Sequence, residues 1–343
     1  LNMIADIYLK NTNNLLYSMP LHGTSGFTSI TSNIGSMRNY GVEFSINGHL
    51  NIGKVNWTSS FNISHNKNKL TKLLGDDLLP IGSNRALKVG EELGAFYLFQ
   101  MDGLYQYDGE VPQPLYDLGV RAGDVKYFDY NEDGDISDAD RMNVGKAIPD
   151  FYGGITSNFS YKGFDLSLFG QFSVGGKVMS AWRGVNGSEG TDHLGLALSN
   201  VKVNDRGESV EQYFNVSKEV ANGYWRGEGT SNTIPRPVRI GVHTGYDYDY
   251  NVQTSTRYLE DASYFKLKTV TLGYTLPESV VKKLRVNSLR VYVSADNLLT
   301  LTKYSGYDPE TSFSGSPGDS NYGVDFGLQP VLRTFIFGLN LNF

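Results

Sequence analysis

Apolar and polar residues alternate one by one in several segments of the chain, and this alternation restricts the possible folds more than any other feature. In the last segment, every second position is apolar and the residues between are mainly small or polar: Phe335, Phe337, Leu339, Leu341 and Phe343. The same pattern is found over residues 42–52, 55–66, 151–160, 164–173 and 289–296. Because successive side chains of a β-strand point to opposite faces, the alternation predicts strands with one apolar and one polar face.

One further segment interrupts this alternation. Phe265 and Leu267 lie on odd positions, whereas Val270 and Leu272 lie on even ones. A β-bulge adds one residue to a strand and so exchanges its two faces. We therefore predict a bulge near residues 268–269.

The composition agrees with an all-β fold and excludes several other classes of protein. The 343 residues include 23 Tyr, 18 Phe and 39 Gly, which suit strands and turns. Charged residues make up 19%, too few for a disordered chain, and no apolar run is as long as a membrane-spanning helix. The lack of Cys excludes disulfides. The net charge of −6, without a basic stripe, argues against a nucleic acid partner.

Short and long connections alternate along the chain. Short turns are predicted at residues 51–54, 90–94, 161–163 and 277–287, and long connections at 11–38, 68–83, 107–149, 175–255 and 301–330. An up-and-down membrane barrel has tight turns at one end and large loops at the other, whereas a soluble β-sandwich has no reason to separate them. We therefore predict a transmembrane antiparallel β-barrel portion of about ten strands, with the soluble sandwich as the alternative.

An acidic motif within residues 107–149 matches a calcium-binding loop of twelve residues. Oxygen ligands are expected from Asp129, Asn131, Asp133, Asp135 and Asp140, and Gly134 allows the sharp turn that makes them converge. The last ligand is Asp instead of Glu, so bidentate closure is less assured. We predict a structural Ca²⁺ ion here; the alternative is a solvated acidic turn without metal.

Aromatic residues and carboxylates occur together in the connection 175–255. Such side chains suit stacking on sugar rings or contact with a peptide backbone, and the candidate ligand-binding residues are Trp182, Trp225, Tyr246, Tyr248 and Tyr250. The alternative is that the rings pack the core of the loop or contact a partner. The five His residues are scattered and no nucleophile or phosphate-loop motif is found, so we predict that the chain is not an enzyme.

The C-terminal segment resembles the recognition strand of Gram-negative outer-membrane proteins. The residues that carry this resemblance, and that we interpret as a barrel-assembly signal, are Phe337, Leu339, Leu341 and Phe343. The resemblance implies an integral outer-membrane protein whose C-terminus and short turns face the periplasm.

Five stretches resemble, in the same order, the C-terminal part of the SusC/RagA-type TonB-dependent transporters of Bacteroidetes: residues 35–44, 150–155, 262–268, 292–298 and 302–310. Members of this family are plugged barrels of 22 strands, and residues 1–343 would form about the last ten. The resemblance implies that residues 107–149 and 175–255 are extracellular loops. It also implies that the plug, the segment that contacts TonB and the rest of the same barrel lie upstream, as an N-terminus without a start signal also suggests.

The partners implied by this resemblance are a SusD-like surface lipoprotein, TonB and an oligosaccharide or peptide substrate, with membrane lipid around the barrel. Two other functions stay open. The chain could be a self-contained outer-membrane pore or adhesin with calcium-stabilised loops, or a soluble calcium-dependent β-protein. A plug and about twelve more strands, supplied by an upstream segment or a partner, would distinguish the transporter from the pore.

Overall fold

The structure is a computed structural model, and it describes residues 1–20, 26, 29–74, 77–82, 84–183, 197–203, 209–213, 218–239, 250–283, 285–310 and 321–343. Strands dominate these residues, in the following order: β1 (Asn2–Pro20), β2 (Ser29–Ile52), β3 (Val55–Leu73), β4 (Leu78–Ile81), β5 (Arg85–Lys88), β6 (Ala95–Leu98), β7 (Met101–Leu104), β8 (Val125–Tyr127), β9 (Met142–Lys146), β10 (Phe151–Tyr161), β11 (Phe164–Val174), β12 (Lys177–Ser180), β13 (Ala197–Val203), β14 (Ser209–Tyr213), β15 (Val238–Arg239), β16 (Leu259–Asp261), β17 (Tyr264–Thr275), β18 (Ser288–Thr302), β19 (Val324–Asp325) and β20 (Thr334–Asn342). The α-helices are short: α1 (Gln113–Asp117), α2 (Lys218–Gly223) and α3 (Glu278–Val281). Single 3-10 turns lie at Asp108–Glu110, Asp138–Asp140, Ala181–Arg183, Tyr250–Val252 and Thr256–Tyr258.

Eight long strands form one antiparallel sheet in the order β1-β2-β3-β10-β11-β17-β18-β20. Every neighbouring pair in this sheet is antiparallel, as an up-and-down barrel wall requires. Within the described residues, β1 and β20 each have one neighbour, so these strands do not close a barrel among themselves. The all-β fold and the antiparallel barrel wall predicted from the sequence are confirmed.

Among the described residues, the wall has eight strands and not the predicted ten or so. The predicted turn at residues 90–94 joins β5 to β6, and these strands belong to a separate small sheet with β4 and β9. Phe96 and Leu98 on β6 are fully buried, so they face protein and not lipid. Strands of four residues are also too short to cross a bilayer, which takes about 9–11 residues.

Two predicted long connections were also wrong at their ends. The structure continues β1 to Pro20 and begins β2 at Ser29, although residues 11–38 were expected to be a loop. Likewise β3 runs to Leu73, into the predicted loop 68–83. Alternation is weak there because Asn and Lys occupy positions on both faces, so the strand depends on its ladder with β2, in which Met37 is opposite Leu70.

In the eight-stranded sheet, the pairing register places the apolar residues of neighbouring strands on the same face. One continuous row across seven strands consists of Leu50, Trp57, Phe159, Leu166, Leu272, Val293 and Phe337. Large members of this face are exposed, Phe337 to 82% and Leu50 to 50%. An exposed apolar row of this length is what a lipid-facing wall requires.

The opposite face of the same strands is polar, and its adjacent row consists of Asn51, Asn56, Ser160, Asp165, Gly273, Tyr292 and Gly338. The guanidinium of Arg290 on β18 crosses Gly273 on β17 to reach the carboxylate of Asp165 on β11, with 2.9 Å between Nε and Oδ1. A β-carbon at Gly273 would lie 2.5 Å from Asp165 Oδ1. Glycine therefore makes this ion pair possible between strands that are not neighbours.

The bulge predicted near residues 268–269 is confirmed. In the ladder with β11, Thr269 is opposite Phe169 and Leu267 is opposite Gly170, so Lys268 is the extra residue. The ladder with β18 shifts at the same place, where Asn297 has a positive φ of 54°. Asn tolerates this left-handed conformation better than most residues.

The long connections leave the sheet at the end opposite the short turns and pack against one another. One hydrophobic core combines Phe96 and Leu98 from the connection between β3 and β10, Met179 and Tyr258 from that between β11 and β17, and Val324 from that between β18 and β20. A second core lies between the β3–β10 connection and the β11–β17 connection. These connections therefore form folded layers that can hold side chains in fixed positions. No helix in the described ranges is long and apolar enough to cross a membrane.

Candidate ligand-binding site

The acidic motif is closed by hydrogen bonds from backbone N–H groups to its own carboxylates. Gly134 N–H donates to Asp129 Oδ2 over 2.8 Å, and Ser137 N–H donates to Asp140 Oδ2 over 2.7 Å. Gly134 has the positive φ of 82° that the motif predicts, and Asp140 is fully buried. Asp140 also accepts from Tyr130 N–H over 2.9 Å, so it joins the two ends of the motif.

The middle of the motif has the geometry of consecutive Asx turns. Asp133 N–H donates to Asn131 Oδ1 over 3.1 Å, and Asp135 N–H donates to Asp133 Oδ1 over 2.9 Å. No group of three or more His, Cys, Asp or Glu side chains that could hold a metal ion is found in the described part of the chain. The donor set is nevertheless all oxygen, as Ca²⁺ prefers, and the calcium site stays a prediction.

The predicted aromatic ligand residues lie in three different surroundings. Tyr250 is only 6% exposed and packs its ring edge-on against Tyr127, with 5.3 Å between the ring centroids. Trp225 lies against Gly123, where a β-carbon would collide with the indole ring. Trp182 donates from Nε1 to Tyr304 Oη over 3.2 Å. These contacts pack the three rings within the connections, and their role in ligand binding stays a prediction. Tyr246 and Tyr248 lie outside the described residues.

The residues of the predicted assembly signal lie on or next to the edge strand β20. Their side chains are exposed, from 42% for Leu341 to 83% for Phe343. Phe337, Leu339 and Leu341 are opposite Val293, Val291 and Leu289 of β18, so they share the apolar face. This position suits contact with lipid, while the role in assembly stays a prediction.

A cavity that the sequence did not reveal lies between the β3–β10 connection and the β11–β17 connection. We name it the interloop cavity. It has a volume of about 540 Å³. Its lining consists of residues 101–103, 232–234 and 256–257 together with Arg183 and Glu219. This volume is typical of small-molecule sites. The sequence contains no signal for this cavity, because its described residues come from five separate stretches of the chain.

Backbone-to-side-chain hydrogen bonds hold the wall of the interloop cavity. Met101 N–H donates to Thr256 Oγ1 over 2.9 Å, and Leu104 N–H donates to Asn232 Oδ1 over 2.9 Å. Gly103, between Met101 and Leu104, has a positive φ of 93°. A β-carbon at this position would collide with the Asn232 amide. The two connections are thus joined by specific polar contacts at the cavity.

Charged groups of opposite sign line the interloop cavity. Arg183 is neutralised by Glu219, with 2.7 Å between Nη2 and Oε2, and by Glu260, with 3.1 Å between Nη1 and Oε1. Burial opposes ionisation of Glu260, but hydrogen bonds from Ser180, Ser305 and Arg183 outweigh it and lower the pKa of this carboxyl. Arg183 is therefore a fixed part of the wall. Arg257, in contrast, has no ion pair with any described residue.

The connection after β18 is anchored to the polar face of the wall by a buried ion network. Lys266 on β17 is 3% exposed, and its ammonium binds Asp308 and also Glu310, with 2.6 Å between Nζ and Oε2. Lys268 adds a third contact, with 2.7 Å from Nζ to the same Glu310 oxygen. Burial opposes ionisation of Glu310, but the two lysines outweigh it and lower its pKa to about 2.

Comparison with known proteins shows relatives along the whole chain. No protein-family model matches the chain. TonB-dependent receptor P3 of Formosa agariphila is 34% identical over 359 residues, covering 100% of this chain and 32% of the receptor. TonB-dependent receptor SusC of Bacteroides thetaiotaomicron is 29% identical over 355 residues, covering 98% of this chain and 30% of SusC.

Solved structures agree with these relatives at the level of the fold. The RagAB peptide transporter superposes with a TM-score of 0.71 at 22% sequence identity, covering 99% of this chain and 33% of that chain. The chain thus spans about a third of the length of the proteins that it matches. Together, the antiparallel wall and the relatives show that the chain is similar, along its whole length, to part of the SusC-like TonB-dependent receptors.

Proposed function

We propose that the protein containing this chain imports an oligosaccharide or a peptide across the outer membrane by TonB-dependent active transport. The observation that carries the proposal is the match of TonB-dependent receptors to the whole chain. The separation of an apolar and a polar face across the sheet agrees with a wall between lipid and a wet lumen. The activity belongs to the complete receptor, of which the chain spans about a third.

The partners that we propose are a SusD-like lipoprotein at the long connections and TonB at the opposite end, where the short turns and the C-terminus face the periplasm. Support for the first partner is the fold of the connections, whose shared core gives them a defined outer surface. The second contact would be made by a plug outside this chain. The substrate would be captured between plug, wall and lipoprotein and released when TonB acts on the plug.

The test is uptake of labelled oligosaccharides and peptides by cells that contain or lack the complete receptor. We expect uptake of one substrate class to disappear when the receptor is deleted, and also when TonB is inactivated. The control is a strain complemented with a receptor that carries Lys282→Met. Lys282 forms an ion pair with Glu278, and the two side chains are 76% and 84% exposed. Uptake that depends on the receptor but survives loss of TonB would contradict active import and indicate a passive pore.

The self-contained pore or adhesin receives no support from the sheet. Within the described residues both edge strands, β1 with 19 residues and β20 with 9, lack a second neighbour. Unpaired backbone groups of long edge strands are costly in a membrane, where no water can bind them. Further strands of the same barrel are therefore the partner that these edges require.

A further inference from the structure

We propose that the interloop cavity binds a carboxylate group of the imported ligand, with Arg257 as the residue that contacts it. This inference rests on the proposed import function and specifies the chemistry of the substrate. It depends on three observations, which are the unpaired charge of Arg257, the rigid wall around it and the absence of aromatic rings among the described residues of the lining.

The charges of the described lining residues leave one cation without a counterion. Arg183 contacts two glutamates, and Asp102 lies 4.0 Å from Lys126. Arg257 makes neither an ion pair nor a hydrogen bond with the part of the chain that the structure describes, and its Nη1 atom is buried without a hydrogen-bond partner. A guanidinium is always charged and presents several N–H donors in one plane, so a buried Nη1 without an acceptor is unfavourable.

A carboxylate is the group that complements this guanidinium. Its two oxygens match the planar N–H donors of arginine, and such charge-assisted bonds are about twice as strong as neutral ones. Part of the lining is already held in place without a ligand, because Thr256 and Asn232 accept hydrogen bonds from the backbone N–H groups of Met101 and Leu104. A preformed wall reduces the entropy lost on binding.

The composition of the lining favours a charged ligand over a neutral sugar. None of the described residues that line the interloop cavity is aromatic, so none of these residues offers a sugar ring a flat surface to stack on. Asp102 and Glu219 also line it, but they lie beside Lys126 and Arg183 and leave Arg257 as the charge available to a ligand. A free C-terminus of a short peptide and the uronic acid unit of an oligosaccharide both carry the required carboxylate.

The test is a binding titration with the intact receptor purified in detergent. The probes are a tripeptide with a free C-terminus, the same tripeptide as its C-terminal amide, a disaccharide containing glucuronic acid and the matching disaccharide containing glucose. We expect one of the two acids to bind about tenfold to hundredfold more tightly than its neutral counterpart, as loss of a charged hydrogen-bond partner usually costs. The acid that shows this preference identifies the source of the carboxylate.

Arginine variants then assign the preference to Arg257. In Arg257→Met the acid and its neutral counterpart should bind equally, whereas Arg257→Lys should keep a reduced preference because it keeps the charge but not the planar donors. The matched control is Arg226→Met, which removes an exposed arginine of the same connection outside the cavity. Because the readout is a ratio within each variant, a lower folded fraction does not affect it.

Two results would overturn the inference. One is a wild-type receptor that binds acids and neutral probes equally, or binds none of the four. The other is an acid preference that persists in Arg257→Met. Either result leaves the import function intact, because TonB-dependent uptake by the wild-type receptor is measured separately. An acid preference in a receptor whose uptake survives loss of TonB would instead contradict the proposed function and leave the carboxylate subsite in place.

Discussion

Replacing Lys266 by Met should release the connection after β18 from the barrel wall. The ammonium of Lys266 is buried between Asp308 and Glu310, and Asp308 is only 6% exposed. Removing one partner of a buried ion pair costs about 3–5 kcal/mol, because the remaining charge stays in a site of low polarity. Glu310 keeps Lys268 as a partner at 2.7 Å, and Asp308 still accepts from Glu310 N–H over 2.9 Å. We therefore expect the lower end of the range, about 3 kcal/mol.

Hydrogen exchange of the intact receptor in detergent measures this effect locally. A loss of about 3 kcal/mol corresponds to exchange that is about a hundredfold faster at the amides of residues 303–310, if these open as one unit. The matched control is Lys282→Met, which removes a lysine from an exposed pair with Glu278 and should change protection by less than about 0.5 kcal/mol. Equal exchange in the two variants would refute the conclusion that the buried network anchors the connection.

Three further predictions concern other parts of the molecule. If Ca²⁺ binds the acidic motif, the double substitution Asp129→Ala with Asp133→Ala should abolish calcium-dependent thermal stabilisation, and unchanged dependence would remove the site. Because Glu310 has a depressed pKa of about 2, against an ordinary value of 4.5, its stabilising effect should be complete above about pH 4.5 and lost as the pH falls towards 2. Proteolysis of residues 303–310 at graded pH should show this loss, and Glu310→Gln should remove the pH dependence. Gly273→Val should displace the ion pair that crosses Gly273 and lower stability by about 1–3 kcal/mol in thermal melting, whereas an unchanged melting temperature would contradict the close packing there.

The alternation in the sequence was sufficient to predict the wall strands wherever one face of a strand is apolar and the other is polar. Alternation predicts strands β10, β11 and β20 and the bulge at Lys268. The reason is that the polarity of each side chain there matches the surroundings of the face on which it lies. Alternation failed for the outer parts of β1, β2 and β3, where the faces are not separated by polarity. It also misassigned β6, because a strand buried in a loop is as apolar as one in a membrane.

The site shows the same division between local and long-range information. The acidic motif is contiguous, so its residues and the positive φ of Gly134 could be predicted from spacing alone. The aromatic residues could be seen in the sequence but not their surroundings, and Tyr250 is part of a buried core. The interloop cavity joins Asp102, Arg183, Glu219 and Arg257, which are distant along the chain, so no local pattern contains it.

The sequence by itself determined the class of fold, which residues share a face of the wall, and the resemblance to TonB-dependent receptors. These depend on residue type and on spacing within single strands. Only the tertiary structure decided that eight of the described strands form the wall and that the long connections share cores. It also decided that Arg257 lines a cavity without a counterion among the described residues. The physical reason is that burial and charge pairing depend on which distant segments meet. Such contacts are set by the packing of the whole chain and leave no regular period in the sequence.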